Sequence, residues 1–442
     1  MSAPQATAEN LPAWLDYIGS VHFTEMELGL ERVSEVARRL DCTRPASTVI
    51  TVAGTNGKGS VVACLEAVLT AAGISNGSCT SPHIHRFNER IRLNQQETSD
   101  AQIVSALSAI DRARGDISLS YFEFATLAAL LLIKQAKAEI AILEVGLGGR
   151  LDAVNLVDPD ISVITSIELD HQQWLGDSRE AIAEEKAGIM RPAVPFVCGD
   201  PLPPASLLSK ALELRCPSYW QNQQFSFQPG NAGWQWRGVD DQGESRLIAG
   251  FEKPSLAATN IACALQVLEL LPWQLSDDVK LSSLAGLVVP GRNEWCFDIA
   301  TGRQVLLDVG HNPAAMELLA ETLASWRKKQ PATAQVIAVV AVMADKDIQD
   351  MARNLESSTD IWYIAELAVP RGLGLASFEG ALHEIELQCQ VDSFETVQQA
   401  YSAACARAGR DDLVLVTGSF FTVSAVRELT TSQAGSPPEV AA

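Results

Sequence analysis

Paired cysteines are absent from this chain of 442 residues. Its nine cysteines, Cys42, Cys64, Cys79, Cys198, Cys216, Cys263, Cys296, Cys389 and Cys405, include no C-x-x-C and keep no regular interval, which excludes a disulfide framework or a zinc ribbon as the organising device. Most are expected to be small buried hydrophobes. No apolar run is long enough to cross a bilayer, and Met1 to Asn10 lacks both the basic and the apolar segment of a secretory leader; the expected location is cytoplasmic, with no membrane partner. Positive charge is scarce: 33 Lys and Arg face 54 Asp and Glu, a formal net charge of −21, and a surface of that sign repels nucleic acid. An anionic substrate must then be met by a few local groups.

The length exceeds what one hydrophobic core serves, so two domains are expected. In the first half the β-branched runs Thr48 to Val52, Ile140 to Val145 and Ile161 to Ser166 alternate with helical periodicity around Val61 to Ala72 and Phe124 to Ala136, the βαβ signature of a doubly wound parallel sheet. The Gln/Trp-rich stretch Pro201 to Gly250, with Trp220, Trp234 and Trp236, predicts a small antiparallel excursion. A helix from Asn260 to Leu271 leads to Pro290-Gly291, where a boundary is expected. Beyond it Val305 to Val309, Gln335 to Val342, Trp362 to Ala365 and Leu413 to Val416 predict strands of a second, smaller α/β domain. The expected division is 1–291, 292–429 and a disordered Ser/Pro/Ala-rich tail, 430–442. The second half has no phosphate loop of its own and is expected to close over a nucleotide held by the first.

The sharpest local signal is Val49-Ile50-Thr51-Val52-Ala53-Gly54-Thr55-Asn56-Gly57-Lys58-Gly59-Ser60. A buried strand empties into a glycine-rich turn followed by a helical run, so backbone N–H groups can approach an anion at a helix N-terminus. Lys58 is placed to reach the outer phosphates and Ser60 to face magnesium. The spacing departs from the usual Walker pattern, since Gly54 stands only two residues before Gly57-Lys58 and Gly59 separates the lysine from its serine.

Other polar groups follow predicted strands, where open parallel sheets collect ligands. Glu144 precedes the turn Gly146-Leu147-Gly148-Gly149 and suits a cation or phosphate, or else caps the turn or pairs with Arg150. His171, after Asp170, suits a divalent metal more than an ordinary structural role. Lys186, beside Glu184 and Glu185, reads by itself as a solvated lysine. The loop Thr80-Ser81-Pro82-His83 to Phe87-Asn88-Glu89-Arg90 also carries His85, and its Ser81 hydroxyl could touch metal or phosphate. In the second half Asp308 with His311, Asp345-Lys346-Asp347 and Gly418-Ser419-Phe420 all follow strands, as a shared cleft would require.

Taken in order, Gly54 to Ser60, Ser81-Pro82-His83, Glu144 to Ala153, Leu169-Asp170-His171, Glu185 to Ile189, Pro290-Gly291-Arg292 and His311-Asn312-Pro313 resemble the folylpolyglutamate synthase family, relatives of the Mur ligases, from about Trp14 to about Val423. The resemblance implies an N-terminal P-loop ATPase domain with a parallel sheet, a smaller C-terminal α/β domain, and an ATP-dependent amide ligase. It would join L-glutamate to dihydropteroate and add further glutamates to reduced folates through an acyl phosphate. By that likeness Gly57, Lys58, Gly59 and Ser60 hold the phosphates of ATP, and Asn260, Arg292 and Asp308 complete the nucleotide site across the domain junction. Ser81, Glu144 and His171 match magnesium ligands, and Lys186 matches a lysine carbamoylated by CO2 that joins them. Glu27, Leu28, Gly29, Tyr121, Phe122, Glu123, Leu151, Asp152 and Ala153 fall on pterin-contacting segments. Lys58, Lys186, His171 and His311 are the implied catalytic groups, and His311 and Ser419 the candidates for holding glutamate. Gly310 replaces a usual alanine, and Asn293 a common aromatic. The expected partners are small molecules only, and the expected state is a monomer. Three rivals share parts of the pattern: a monofunctional folylpolyglutamate synthase, a Mur-type peptidoglycan-precursor ligase, and a P-loop nucleotide switch that forms no amide.

Overall fold

Val49 to Ala53 are all buried, as a strand covered on both faces by helices demands. In the computed structural model, which describes residues 3–5, 7, 10–22, 29–253 and 255–432, this run is the strand Thr48–Ala53 at the heart of an eight-stranded sheet. The order across the sheet is Gln96–Glu97, Ile91–Leu93, Asn76–Cys79, Ile140–Glu144, Thr48–Ala53, Ile161–Ile164, Phe196–Cys198, Ser218–Trp220. From Asn76–Cys79 onward the pairs are parallel, and the first three strands are antiparallel neighbours. The carboxyl ends of Thr48–Ala53, Ile140–Glu144 and Ile161–Ile164 therefore lie side by side, and the loops after them form one rim.

The described residues fall into two compact units, one drawn from Met1–Glu252 and Ala258–Ala285, the other from Lys253–Ala257 and Gly286–Ala442. The stretch read as one antiparallel excursion is more complex. Helix Ala205–Glu213 and the last parallel strand, Ser218–Trp220, precede the three antiparallel strands Ser226–Gly230, Gly233–Val239 and Ser245–Phe251. A three-residue strand offers too few positions for its period to be read. The excursion is fastened by Trp236, whose Nε1–H donates to the Ala262 carbonyl at 3.2 Å, and by Gln266, which donates to the Val239 carbonyl at 2.7 Å.

The second unit holds a seven-stranded sheet: Gln390–Phe394, Ile361–Ala365, Val336–Val340, Leu413–Thr417, Gln304–Leu307, Glu294–Asp298, Thr430–Ser432. Alternate residues of its strands feed opposite cores, Ala338, Val340, Trp362 and Leu415 on one face and Ile337, Val339, Tyr363 and Val416 on the other. Thr430–Ser432 corrects the expectation of a disordered end beginning at Thr430. It pairs antiparallel with Cys296–Asp298, because two β-branched threonines can add an edge to the sheet. Residues 433–442 lie outside the described residues. All nine cysteines are free and seven are buried; burial pushes the thiols of Cys42, Cys64, Cys79, Cys198 and Cys296 up to about 12.

Candidate active site

Two glycines of the nucleotide loop have no substitute. Gly54 (φ +147°) lies so close to the next strand end that a Cβ would stand 1.9 Å from Thr165 Oγ1, and at Gly57 (φ +88°) it would stand 2.2 Å from Asn260 Oδ1. The loop thus wraps Asn260 and opens into helix Lys58–Ala71, whose first turn carries no side-chain cap. Such a turn presents N–H groups to an anion. Lys58 folds back over the loop, donating from Nζ to the carbonyls of Gly54 (2.9 Å) and Thr55 (3.2 Å). The loop is laced to the neighbouring strand end: Thr165 Oγ1 donates to the Asn56 carbonyl at 2.6 Å, and Thr55 Oγ1 donates to the Glu168 carbonyl and accepts from Glu168 N.

Glu144 ends its strand buried at 4 % exposure, with Oε2 accepting from Ser81 N at 3.1 Å. A Cβ on Gly59 would come within 3.8 Å of that oxygen, so the nucleotide helix starts against the carboxylate. Arg150 pairs with Glu185 at 2.8 Å, which removes the reading in which it neutralises Glu144. Asp152 is buried and splits its oxygens between Leu147 N (2.8 Å) and Val154 N (2.9 Å). Burial raises its carboxyl to about 6 against those N–H bonds and the charge of Lys58.

The reading of Lys186 as a solvated lysine is overturned. Its helix Arg179–Ala187 buries Ile182, Ala183, Lys186 and Ala187 on one face, leaving Lys186 at 3 % exposure. Burial first, and then the like charge of Lys58, lower its pKa to about 7, with Asp170 and Asp152 opposing. The spacing 182, 183, 186, 187 is a helical stripe, and it could have marked the lysine as inward-facing. Gly149 lets this helix approach: a Cβ there would meet the Glu185 carbonyl at 2.8 Å and that of Lys186 at 3.0 Å. Gly149→Ala is therefore expected to lower stability by about 1–3 kcal/mol and to depress turnover more than nucleotide affinity. Thermal melts and nucleotide titrations check this; an unshifted melt with full turnover would contradict it.

His171 is 42 % exposed, in a left-handed conformation (φ +50°), with Nε2 3.9 Å from Asp170 Oδ2. Among the described residues no three His, Cys, Asp or Glu side chains gather into a metal cage. The buried Glu144 carboxylate, held by the Ser81 N–H and standing against the start of the nucleotide helix, fits a hard cation that takes one or two protein oxygens and fills its shell with nucleotide oxygens and water.

Among the pterin candidates, Phe122 packs on Gly146, where a Cβ would lie 2.6 Å from its ring, and Tyr121 sits edge-on to Phe87 at 5.9 Å. Glu123 has local work: it accepts from Ser120 N at 2.7 Å to cap helix Tyr121–Gln135 and pairs with Arg32. Leu151 is half-buried and Ala153 buried; Glu27 and Leu28 lie outside the described residues, and Gly29 within them. Sequence reasoning left Arg90 without a role. It donates from Nε to His83 Nδ1 at 2.7 Å, and burial with the Arg90 charge lowers the His83 pKa to about 4, consistent with a neutral acceptor.

The second unit has its own cluster. Arg292 lies over the Phe420 ring at 4.9 Å, His311 Nδ1 is 2.9 Å from the Val309 carbonyl, and half-buried Asp308 accepts from Asn293 N and Gly310 N at 2.8 Å each. Burial raises the Asp308 pKa, opposed chiefly by Arg292. Ser419 is buried and caps helix Phe420–Arg427 through Thr422 N. Asn293 takes a left-handed conformation (φ +45°) and donates to the Ser255 carbonyl, two tasks an aromatic would not share.

The Mur ligase middle domain family matches residues 52–195, and the Mur ligase, glutamate ligase domain family matches 291–420. Over 426 residues the chain is 41 % identical to the dihydrofolate synthase/folylpolyglutamate synthase of Escherichia coli (strain K12), covering 96 % of both chains. Among solved structures, E. coli FolC in complex with DHPP and ADP superposes with a TM-score of 0.88 at 40 % identity, covering 97 % of this chain and 99 % of that one. A bifunctional folylpolyglutamate synthase/dihydrofolate synthase with Mn, AMPPNP and L-glutamate bound superposes at 0.87 and 42 %, with the same coverage.

Proposed function

The chain belongs to the dihydrofolate synthase/folylpolyglutamate synthase family within the Mur ligases, and from that premise we propose how its residues divide the work. The activity is ATP-dependent ligation of L-glutamate to dihydropteroate and to reduced folates. The observation that carries the residue assignments is the convergence of Lys58, Asp152, Asp170 and Lys186 on one electrostatic neighbourhood, with Glu144 against the residue that follows Lys58.

A carboxylate and an amine do not condense directly, because an oxide anion is a poor leaving group. The γ-phosphoryl group of ATP passes to the pteroyl carboxylate, releasing ADP, and the glutamate amine then displaces phosphate from the acyl phosphate with loss of a proton. Gly57, Lys58, Gly59 and Ser60 are read as the phosphate contacts, with Asn260 fixing the turn from behind. Lys58 swings from its own loop carbonyls to the transferring oxygens, where its charge opposes the negative charge that develops. A divalent cation, read as magnesium, supplies further charge neutralisation when bound; Ser81, Glu144, His171 and Lys186, as its carbamate, are the proposed residues around it. Tyr121, Phe122, Leu151, Asp152 and Ala153 are read as the pterin wall. Arg292 and Asp308 are proposed nucleotide contacts, and His311 with Ser419 the holders of incoming glutamate. No helix among the described residues is long and apolar enough to cross a membrane; a cytoplasmic monomer is the reading that suits small soluble substrates.

Incubation with ATP, magnesium and labelled glutamate tests the assignment, with dihydropteroate and tetrahydrofolate in separate reactions. Incorporation into both is expected. Incorporation into tetrahydrofolate alone would make the enzyme monofunctional, and ATP hydrolysis without amide formation would favour a nucleotide switch.

A further inference from the structure

Arg90 is a charged fork with one free edge. Its Nε is held by His83 Nδ1 at 2.7 Å, and its guanidinium carbon lies 5.8 Å from the ring centroids of both Phe87 and Tyr121, so histidine and aromatics fix the plane of the group. Among the described residues neither Nη group has a hydrogen-bond or ion-pair partner. The nearest acid in sequence, Glu89, is already spent on the backbone N–H groups of Ile84, His85 and Arg86 at 2.7–2.8 Å. A half-buried guanidinium in a chain with 54 acidic residues, yet without a carboxylate partner, is unusual unless the partner arrives with a ligand.

Position narrows what that ligand is. Arg90 lies in the electrostatic field of Glu144, Cys79 and Tyr121. Glu144 stands at the first turn of the nucleotide helix, and Tyr121 opens the helix whose next residue, Phe122, covers Gly146. Arg90 thus stands beside the aromatic residues of the first unit's site and within the field of the carboxylate at its phosphate end. In a pteroyl substrate the reacting carboxylate is borne directly by the benzoyl ring, so a molecule whose benzoyl ring lies by Tyr121 presents its carboxylate to Arg90, whose guanidinium carbon is 5.8 Å from the Tyr121 ring. Resting on the folate reading above, we infer that Arg90 is a substrate-binding residue whose two Nη groups grip the reacting carboxylate of the pteroyl substrate. Planar, end-on donors match a carboxylate, and the contacts with His83, Phe87 and Tyr121 mean little side-chain freedom is lost on binding.

The test compares dihydropteroate with its neutral carboxamide, titrated into the full chain in the presence of ADP and magnesium. The unmodified protein is expected to prefer the carboxylate by on the order of 10- to 100-fold, the scale of one charge-assisted pair. Arg90→Gln should bind both compounds about equally while keeping its ADP affinity and melting temperature. Arg90→Lys, which keeps charge without the fork, should fall between. A merely structural arginine would weaken both compounds alike, so an undiminished carboxylate preference in Arg90→Gln overturns the proposal. So does its absence in the unmodified protein, or loss of the fold in both variants. If the unmodified chain binds ADP and neither pterin compound, the folate reading fails first and takes this one with it.

Discussion

Lys58→Ala is expected to abolish glutamate ligation while moving the thermal midpoint by no more than a few degrees. In the folded chain Lys58 Nζ donates short bonds back to its own turn, to Gly54 and Thr55. As bonds from a charged donor they contribute about 1.5–3 kcal/mol each, which the large unfolding entropy of a chain of 442 residues turns into only a few degrees, and the turn is also held by Thr165, Ser166 and Glu168. The catalytic loss is of another order. Removing a preorganised donor aimed at developing charge typically costs roughly 10²- to 10³-fold, and Lys58 brings a full charge. Product formation followed by chromatography, beside a thermal melt, separates the two effects. Substantial turnover in a folded Lys58→Ala enzyme would sink the reading of this loop as the phosphate cradle.

How much could be read from the sequence depended on whether the deciding contact was local. The central strands were legible because Val49, Ile50, Ile140, Ile142, Ile161 and Val163 are β-branched and buried on both faces, so composition and environment agree. Asn76–Cys79 was not legible. Its Asn-Gly-Ser-Cys has no β-branched residue, and it is a strand because Gly77 lets Ile133 and Leu93 come to within about 3 Å of where a Cβ would be, a contact between distant segments. Gln390–Phe394, Gln-Val-Asp-Ser-Phe, is a polar edge whose side chains are nowhere fully buried, so no hydrophobic pattern announces it.

The candidate site divides the same way. The glycines of the nucleotide loop advertise themselves, because only glycine permits Gly54 and Gly57 their backbone angles. Arg90 has no such mark. Its surroundings come from Phe87 and His83 nearby and Tyr121 far along the chain, and only the fold brings the three together. Glu123 differs in another way: it stands in a substrate-contacting segment by family likeness, and the fold also gives its carboxylate two structural partners, Ser120 and Arg32.

Lys186 carries the other large prediction. Its ammonium form is penalised by burial and by Lys58, which leaves a substantial neutral fraction near pH 7. A neutral amine can attack CO2, forming the N–C bond and releasing a proton, and the product is a carbamate anion. The sign of the group is thereby reversed. What repelled Lys58 now attracts it, and two anionic oxygens replace the ammonium, the donor type a hard cation prefers. We therefore expect the active enzyme to carry a carbamate on Lys186, and Lys186→Ala to be nearly inactive, with short-chain carboxylic acids partly restoring it by supplying an anion to the vacated space. Lys186→Arg, which keeps a positive charge and cannot be carbamoylated, should not be rescued. Equilibration with ¹³C-labelled bicarbonate gives a readout independent of activity: a carbamate carbon resonance in the unmodified protein that is missing from Lys186→Ala. No such resonance, together with no rescue by carboxylic acids, would return Lys186 to a purely structural role in the packing of Arg179–Ala187 against Gly149.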